Sequence, residues 1–363
     1  MMPATQTDYA QSPHIVMWEI TRACQLHCVH CRAEAQRHRH PGELNLQEAR
    51  SVVDQVSGFH DPLLVITGGD PLEREDLWEI IDYAREQGVR VSLAASVTPR
   101  MTRAAIWRMR RAGVKRLALS LDGATAKAHD RFRGVKGSFL DTVKALYSVA
   151  DIGLPLQINT TVSALNHEEL EGVADMAELF GADLWSLFFL VPTGRASEDL
   201  MTTPEQNEEI MKWIYGQSLT RPFAVKATEA PFYRRVIMQR QSGEARREPH
   251  PGSGQTAQRA PRDALRGVRP VNDGDGFVFI SHTGDVYPSG FLPECAGNVQ
   301  STPLVDIYRA SDLFRKMRAK DELKGKCGRC EFRHVCGGSR ARAFAVTGDY
   351  MQSDPACSYQ PQG

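Results

Sequence analysis

Three cysteines near the N-terminus have the types and the spacing of a reactive metal site. Cys24, Cys28 and Cys31 form a C-x3-C-x2-C triplet directly after an apolar run over residues 14–20. Three thiolates so close in sequence can bind three irons of a cubane [4Fe–4S] cluster and leave the fourth iron without a protein ligand. An open metal position is a binding site for a substrate or cofactor, as in a catalytic zinc centre. The triplet therefore predicts a catalytic cluster, with zinc bound by the same cysteines and the histidines between them as the alternative.

A second group of cysteines lies near the C-terminus. Cys327, Cys330 and Cys336 form a C-x2-C-x5-C pattern, and Cys357 follows further along the chain. Four thiolates can coordinate one [4Fe–4S] cluster completely, and they can equally form a structural zinc site. Cys295 is then left over, and we expect it to be a small buried hydrophobic residue rather than a labile ligand.

Charge and hydropathy exclude several classes of partner. Lys and Arg together number 44, as do Asp and Glu, so the formal net charge is zero at pH 7. This balance gives no reason to expect nucleic acid or an anionic membrane. No apolar stretch approaches the roughly 20 residues of a membrane span, and the polar residues 1–12 lack the hydrophobic segment of a signal peptide. We therefore expect a cytoplasmic protein, in whose reducing surroundings grouped cysteines bind metal instead of forming disulfides.

Strand and helix patterns alternate after the first cysteines. Asn45 and Glu48 have the spacing of a capping box at the start of the first helix. Six βα units in succession predict an α/β fold with a parallel sheet, curled by right-handed crossovers into an open partial (β/α)6 TIM-type barrel. In such barrels the chemistry lies at the carboxyl ends of the strands, where the cysteine triplet falls. The predicted strands cover residues 14–20, 63–67, 89–95, 115–121, 155–162 and 183–190.

Changes in composition divide the chain into four segments. We expect a disordered N-terminus over 1–12, the barrel over 13–239 and a cysteine-rich domain over 271–363. The stretch 240–270 between them is rich in Gly, Pro, Ser and Arg without an apolar period, which is typical of a linker or a mobile lid. Two short strand patterns around Ser-His-Thr-Gly predict a β-hairpin early in the last domain.

The cysteine triplet resembles that of the radical S-adenosylmethionine (SAM) superfamily. In that family the open iron chelates the amino and carboxylate groups of SAM, and an electron cleaves SAM to a 5′-deoxyadenosyl radical. The radical then abstracts hydrogen from an unactivated carbon. The resemblance implies SAM as a cofactor and an external electron donor such as flavodoxin or ferredoxin.

A glycine motif after the second predicted strand supports this resemblance. Gly68, Gly69, Asp70 and Pro71 resemble the family's Gly-Gly-Glu-Pro, which hydrogen-bonds the SAM amino group. Asp70 replaces the usual glutamate and has a shorter reach. We expect the backbone of the motif to keep its role, because paired glycines let a backbone approach a ligand closely.

Further SAM contacts are implied at the ends of later strands. Ser120 and Asp122 resemble the family's Ser-Leu-Asp-Gly, where the serine lies near the SAM carboxylate and ribose. Ser96 takes the place of a common asparagine, and Asn159 on the fifth strand is a candidate ribose or adenine contact. Residues 129–134 resemble a family loop whose arginine, here Arg131, would face the SAM carboxylate or the substrate. A surface loop with salt bridges is the alternative for these arginines.

The second cysteine group resembles a reduced form of the SPASM extension, a module with auxiliary [4Fe–4S] clusters. Arg340 stands where another cysteine would continue the full pattern. The resemblance therefore implies one closed auxiliary cluster on the four C-terminal cysteines, and two [4Fe–4S] clusters in the whole chain. A closed cluster binds no substrate, so its implied role is to accept an electron from the substrate radical.

The C-terminal tail resembles the radical SAM enzymes that edit haem side chains. Cys-Gly-Gly-x-x-Arg-x-Arg and the later Asp-Pro-x-Cys carry this resemblance. It implies oxidative decarboxylation or bond cleavage on a tetrapyrrole, with Arg133, Arg340 and Arg342 as candidate partners of substrate carboxylates.

Two alternatives to a tetrapyrrole enzyme remain. A peptide (RiPP) maturase shares this framework, and we expect it to need a further domain for a leader peptide. A non-enzymatic zinc-binding protein would use the cysteines without SAM.

Overall fold

Strand and helix alternate along the residues that the computed structural model describes, which are 8–245 and 270–362. The strands in this range are β1 (Ile15–Glu19), β2 (Leu63–Thr67), β3 (Arg90–Ala94), β4 (Leu117–Ser120), β5 (Leu156–Val162), β6 (Leu184–Phe189), β7 (Ala224–Thr228), β8 (Phe277–Ile280), β9 (Asp285–Tyr287) and β10 (Gly297–Asn298). They form a single sheet in the order β10-β9-β8-β1-β2-β3-β4-β5-β6-β7. The strands β1 to β8 run parallel to one another, whereas β9 is antiparallel to β8 and to β10.

Helices follow most of these strands. They are α1 (Leu46–Ser57), α2 (Leu77–Glu86), α3 (Arg103–Arg111), α4 (Ala126–Arg133), α5 (Ser138–Ile152), α6 (Leu170–Leu179), α7 (Pro204–Thr220), α8 (Tyr233–Ala245), α9 (Leu304–Ala310), α10 (Asp312–Arg318), α11 (Gly325–Arg329) and α12 (Arg340–Thr347). The predicted capping box of α1 is confirmed, since Asn45 accepts from the backbone of Glu48 while the Glu48 side chain accepts from the backbone of Asn45.

The two faces of the sheet differ in burial. Along β5, Leu156 and Ile158 are buried in the core with the helices, whereas Gln157 and Asn159 are only half-buried. Side chains alternate between faces along a strand, so the half-buried residues share the opposite face. We call this second face the concave face.

The predicted α/β partial barrel is confirmed, with one more strand than expected. The strand β7 adds a seventh parallel strand after the six that the sequence predicts. Its sequence Ala-Val-Lys-Ala-Thr has one fully buried apolar residue and a lysine in the middle, so it carries little strand pattern. The predicted hairpin is confirmed as β8 and β9, and β8 also pairs with β1 in parallel, which joins the cysteine-rich part to the barrel sheet.

Residues 8–12 differ from the disordered N-terminus that the sequence predicts. Tyr9 is buried and packs on Gly276, and its backbone carbonyl accepts a hydrogen bond from the Tyr308 hydroxyl at 2.6 Å. The helix α8 also extends to Ala245, beyond the predicted start of the linker at 240. The remainder of that predicted linker or lid, 246–269, lies outside the described residues, as do residues 1–7.

Candidate active site

The first cysteine group lies in the loop that follows β1, at the carboxyl end of the sheet. Cys24 and Cys28 are buried and Cys31 is half-buried. Each sulfur accepts one hydrogen bond: Cys24 from the backbone of Leu26 at 3.4 Å, and Cys31 from the backbone of Ala35 at 3.4 Å. Cys28 accepts from the guanidinium of Arg133 at 3.6 Å. Donors aimed at the sulfurs stabilise thiolates bound to iron, so these residues fit the predicted cluster.

Burial disfavours the ionised form of these thiols in the absence of metal. It raises the pKa of Cys24 to about 11, and it raises that of Cys28 although the Arg133 guanidinium acts in the opposite direction. Metal ligands must be deprotonated, so cluster assembly here releases protons. The bound iron then supplies the positive charge that stabilises the buried thiolates.

Glycines hold the cysteine loop against the neighbouring βα turn. A Cβ atom on Gly69 would lie 2.4 Å from the carbonyl oxygen of Ala23, and one on Gly68 would lie 2.6 Å from that of Thr21. The backbone N–H of Gly69 donates to Thr21, and that of Asp70 donates to Ala23 at 2.7 Å. The paired glycines are therefore required for backbone contact with the cysteine loop, whether or not they also contact SAM.

The Asp70 carboxylate is directed into the protein. It accepts from the Thr98 hydroxyl at 2.7 Å and caps the turn at residues 71–73 through the backbone of Leu72. Burial raises its pKa to about 6. Ser96 lies between this turn and the cysteines, since its hydroxyl donates to the Gly69 carbonyl at 3.1 Å and is 3.9 Å from the Cys24 sulfur. A role for Pro71 in SAM binding stays a prediction, as do those of its neighbours.

A polar row crosses the concave face beside the cysteine loop. Ser120, Asn159, Ser186 and Lys226 are register partners on β4, β5, β6 and β7. The predicted SAM contacts Ser120 and Asn159 are thus neighbours and half-buried, and Asn159 accepts from Gln157 at 2.7 Å.

Asp122 serves a structural role in this region. It is buried and forms an ion pair with Arg133, and it accepts from the backbone of Thr161 at 2.7 Å. Its own backbone N–H donates to Nδ1 of the buried His129. These contacts hold Asp122 inside the protein, where it pairs with the guanidinium that donates to Cys28.

The two arginines of the 129–134 segment lie in very different surroundings. The segment is the end of α4, capped by Thr125 and closed by Gly134, rather than a loop. Arg131 is exposed on this helix, whereas Arg133 is buried against Cys28. Arg133 therefore belongs to the cluster surroundings and not to a substrate pocket, and the SAM role predicted for Arg131 has no support in its placement.

The sequence gives no signal for several residues that organise the cysteine loop. Arg195, after β6, donates to the carbonyl of Cys28 at 3.0 Å and contacts the His27 ring at 3.2 Å. Glu19 at the end of β1 accepts from Arg32 and from His282, each at 2.9 Å. These partners lie far apart in the chain, so only the folded sheet brings them together.

All four C-terminal cysteines line one cavity, which is partly open to solvent. The backbones of Gly338 and Asp354 donate to Cys336 and Cys327, each at 3.4 Å. Burial raises the pKa of Cys336 to about 12. A lined cavity with N–H donors at its sulfurs fits the predicted closed cluster on Cys327, Cys330, Cys336 and Cys357.

Arg340 and Arg342 are placed differently from the substrate anchors that the sequence predicts. Both are buried, with 1% and 0% of their surface exposed. Arg340 donates to the carbonyls of Tyr350 and Gln352, and Arg342 forms an ion pair with Asp354 at 3.1 Å. Their guanidinium groups are fully used inside the protein, so they hold the auxiliary-cluster region together and cannot receive a substrate carboxylate.

Cys295 also differs from expectation. It is exposed, with its sulfur 3.3 Å from the carbonyl oxygen of Gly297, and it is therefore not a small buried hydrophobic residue.

The described residues contain neither a compact single-metal site nor a membrane-spanning helix. No three His, Cys, Asp or Glu side chains there converge closely enough to hold a single metal ion. In the same part of the chain, every helix is too short or too polar to cross a membrane.

Comparison with known proteins agrees with the geometry. Residues 18–179 match the family model of the radical SAM superfamily, and residues 273–331 match that of an iron–sulfur cluster-binding domain, SPASM. The chain is 40% identical to the AdoMet-dependent heme synthase of Nitratidesulfovibrio vulgaris (strain Hildenborough), over 99% of this chain and 96% of that protein. It is 30% identical to the mycofactocin maturase MftC of Mycobacterium tuberculosis (strain CDC 1551 / Oshkosh), over 95% and 83%.

A solved structure shares the fold. The crystal structure of Streptococcus suis SuiB bound to S-adenosylmethionine superposes with a TM-score of 0.69 at 15% identity, covering 96% of this chain and 78% of SuiB. The predicted cofactors, SAM with one [4Fe–4S] cluster and an auxiliary iron–sulfur cluster, are confirmed by these matches. The chain belongs to the radical SAM superfamily and is a radical SAM enzyme with a C-terminal SPASM domain.

Proposed function

We propose that this enzyme oxidatively modifies a carboxylate-bearing side chain of a tetrapyrrole in cofactor biosynthesis. The observation that carries the proposal is the 40% identity to a heme synthase over nearly the full length of both chains. Both cysteine sites of this chain fit the clusters that such chemistry requires. The reaction we favour is decarboxylation of a propionate to a vinyl group.

The atoms and electrons of this reaction balance with the two proposed cluster sites. A hydrogen atom leaves the propionate carbon next to the ring, the bond to the carboxylate carbon breaks, and carbon dioxide departs. One electron remains and must leave the substrate, which is the role we assign to the cysteine cavity at Cys327 and Cys336. SAM at the first cluster supplies the carbon radical that takes the hydrogen atom.

The chain's own residues position and shield this chemistry. Cys24, Cys28 and Cys31 would hold the first cluster, with Arg133 keeping a positive charge beside Cys28. Ser96 and the Gly68–Gly69 backbone would border SAM on one side. Ser120 and Asn159 would border it on the concave face. Fixing the reacting carbon near the radical and excluding water are the contributions that a protein makes in such reactions.

The enzyme needs a reductant for its first cluster. We propose a flavodoxin or ferredoxin as the donor. The cytoplasmic location expected from the cysteine usage stays a prediction.

A peptide substrate is the second candidate, because the mycofactocin maturase is 30% identical. The higher identity to a heme synthase over a larger share of the relative favours the tetrapyrrole.

Anaerobic turnover tests the proposal. The full-length protein, reconstituted with iron and sulfide, is incubated with SAM, dithionite and iron coproporphyrin III, and 5′-deoxyadenosine and the porphyrin are followed by mass spectrometry. We expect loss of carbon dioxide and two hydrogen atoms from each modified side chain. A Cys28→Ser variant should abolish the product, whereas Cys295→Ser, at an exposed cysteine outside both groups, should retain it. SAM cleavage without any change to the porphyrin would refute the tetrapyrrole and direct attention to peptides.

A further inference from the structure

Since Arg340 and Arg342 are engaged inside the protein, the carboxylates of the proposed substrate need other cationic partners. Both guanidinium groups are saturated by contacts inside the protein. A tetrapyrrole with several propionates carries negative charges that are not consumed in a single reaction. Desolvated carboxylates require paired cations. Such cations must lie on the surface that the substrate contacts, which in this fold is the concave face.

Lys226 is a cation on that face. It is the third residue of β7, and its register partner Ser186 is paired in turn with Asn159. It therefore lies in the same layer as the predicted SAM contacts Ser120 and Asn159, three strands from the first and two from the second. Its side chain is half-buried and makes no hydrogen bond or ion pair with any described residue.

Arg116 is a second cation whose side chain has no hydrogen-bond or ion-pair partner among the described residues. It immediately precedes β4 and shares the face of Ala118 and Ser120 by alternation. Its Nε atom is buried without a hydrogen-bond acceptor, and the described residues provide the guanidinium with no ion pair. A buried donor left without an acceptor carries a free-energy cost, which a bound carboxylate would remove.

The surroundings of Lys226 contain an excess of positive charge. Burial, together with the charges of Arg234 and Arg116, lowers the pKa of Lys226 to about 8, and Glu229 acts in the opposite direction. The strands β4 and β7 are separated by three strand spacings, about 14 Å at about 4.8 Å each. Arg116 also lies four residues before Ser120, the β4 residue in the layer of Lys226, which adds an offset of about 13 Å along the strand. This separation suits two different carboxylates of one flat ligand better than a single carboxylate.

We propose that Lys226 and Arg116 form a carboxylate-binding pair that holds two non-reacting propionates of the tetrapyrrole substrate. The inference rests on the proposed function. It assigns to Lys226 and Arg116 the substrate contacts that the sequence predicts at Arg340 and Arg342. The pair fixes the orientation of the ring, and thereby which side chain faces the SAM site.

Equilibrium binding tests the pair. The reconstituted full-length protein is titrated anaerobically with iron coproporphyrin III and with its tetramethyl ester, following the Soret band. In the wild type the free acid should bind more tightly than the ester. We expect Lys226→Met and Arg116→Met each to weaken binding of the acid about tenfold, which is the scale of one charge-assisted hydrogen bond. Neither substitution should change binding of the ester, and Lys226→Arg should retain most of the affinity.

The matched control is Lys115→Met, which removes an exposed cation adjacent to Arg116 in sequence. It should bind both forms as the wild type does. Thermal unfolding separates the proposal from a structural role. Because the side chains of Lys226 and Arg116 form no hydrogen bond or ion pair with the described residues, removing either charge should leave the melting temperature equal or higher.

The failures of the two proposals are distinguishable. If the wild type binds neither porphyrin, the proposed function falls, and the carboxylate pair falls with it. If the wild type binds the acid and both methionine variants bind it equally well, the pair is refuted while the tetrapyrrole function stands. A methionine variant that weakens acid and ester to the same extent would also refute the pair, because the effect would not depend on the carboxylates.

Discussion

At the scale of single residues, the sulfur ligands of the first cluster depend on one arginine. Arg133 donates to Cys28 and is itself held by the buried Asp122. Its neighbour Arg131, two positions earlier in α4, is exposed. The motif cannot distinguish the two arginines, because which of them turns inward depends on the rotation of the helix.

We predict that the double variant Arg133→Met/Asp122→Asn lowers SAM cleavage by at least about tenfold, since a charge-assisted contact to the cluster sulfur is lost. The paired substitution avoids leaving an unpaired buried carboxylate. The first cluster should also become harder to reduce, because a nearby positive charge stabilises the added electron. Redox titration with EPR detection measures this shift. Arg131→Met is the control, and a loss of equal size in that variant would contradict the assignment.

Close backbone packing gives a second prediction at this scale. A Cβ atom on Gly69 would lie 2.4 Å from the Ala23 carbonyl oxygen, so Gly69→Ala must displace the cysteine loop. We expect a loss of about 1–3 kcal/mol in the free energy of unfolding, together with reduced iron content after reconstitution. Gly216→Ala in α7, where a Cβ meets nothing within 4 Å, should be neutral or stabilising. Full iron content in Gly69→Ala would show that the loop tolerates the displacement.

At the scale of elements, α4 is fastened to the end of β4 through a neutral histidine. His129 is buried, its Nδ1 accepts from the backbone of Asp122, and its Nε2 is 3.4 Å from the Thr142 hydroxyl. Protonation of Nδ1 would turn it into a donor that faces the backbone N–H of Asp122, and the hydrogen bond would be lost. The contact therefore holds α4, and Arg133 on it, only while the ring is uncharged.

Stability should consequently fall with pH in a defined window. Burial lowers the pKa of His129 to about 3, below its value of about 6.5 in an unfolded chain. The unfolded state binds the proton first, so stability is complete above pH 6.5 and is lost as the pH falls toward 3. One such group contributes a slope of up to about 1.4 kcal/mol per pH unit. Urea unfolding between pH 5 and 7.5 should show a shallower slope for His129→Asn than for the wild type. The exposed His38→Asn should match the wild type.

At the scale of the whole molecule, one buried arginine ties the SPASM region to the barrel. Arg342 on α12 donates to the carbonyls of Phe189, Leu190 and Glu229, which lie at or after the carboxyl ends of β6 and β7. It also pairs with Asp354, three residues before the cysteine at 357. The auxiliary-cluster cavity thereby has a defined position relative to the sheet, as electron transfer from a substrate on the concave face requires.

We predict that Arg342→Met costs about 3–5 kcal/mol in the free energy of unfolding, because it leaves Asp354 as an uncompensated buried charge. Iron at the auxiliary site should decline, whereas tetrapyrrole affinity per folded molecule should stay unchanged. Urea unfolding, iron analysis and Soret titration measure the three quantities. Arg315→Met, which breaks an exposed ion pair with Asp312, should change none of them measurably. Weaker tetrapyrrole binding in folded Arg342→Met would restore this arginine as a substrate contact.

The sequence by itself determined the chemistry and most of the architecture. The spacing of cysteines is local, and so are the apolar periods of six strands and their helices, so both can be read along the chain. The strand β7 was missed because Lys226 interrupts its apolar pattern, and that lysine is placed on the concave face only by register with β6.

Only the tertiary structure decided which charged residues are free to act. A sequence motif does not show whether an arginine is exposed, as Arg131 is, or buried against a sulfur, as Arg133 is. Nor does it show that the guanidinium groups of Arg340 and Arg342 are already occupied by contacts inside the protein. The difference lies in contacts between segments far apart in sequence, which arise when the sheet curls and the C-terminal part packs on its strand ends. Unpaired cations such as Lys226 become recognisable only when every neighbour that could neutralise them has been placed.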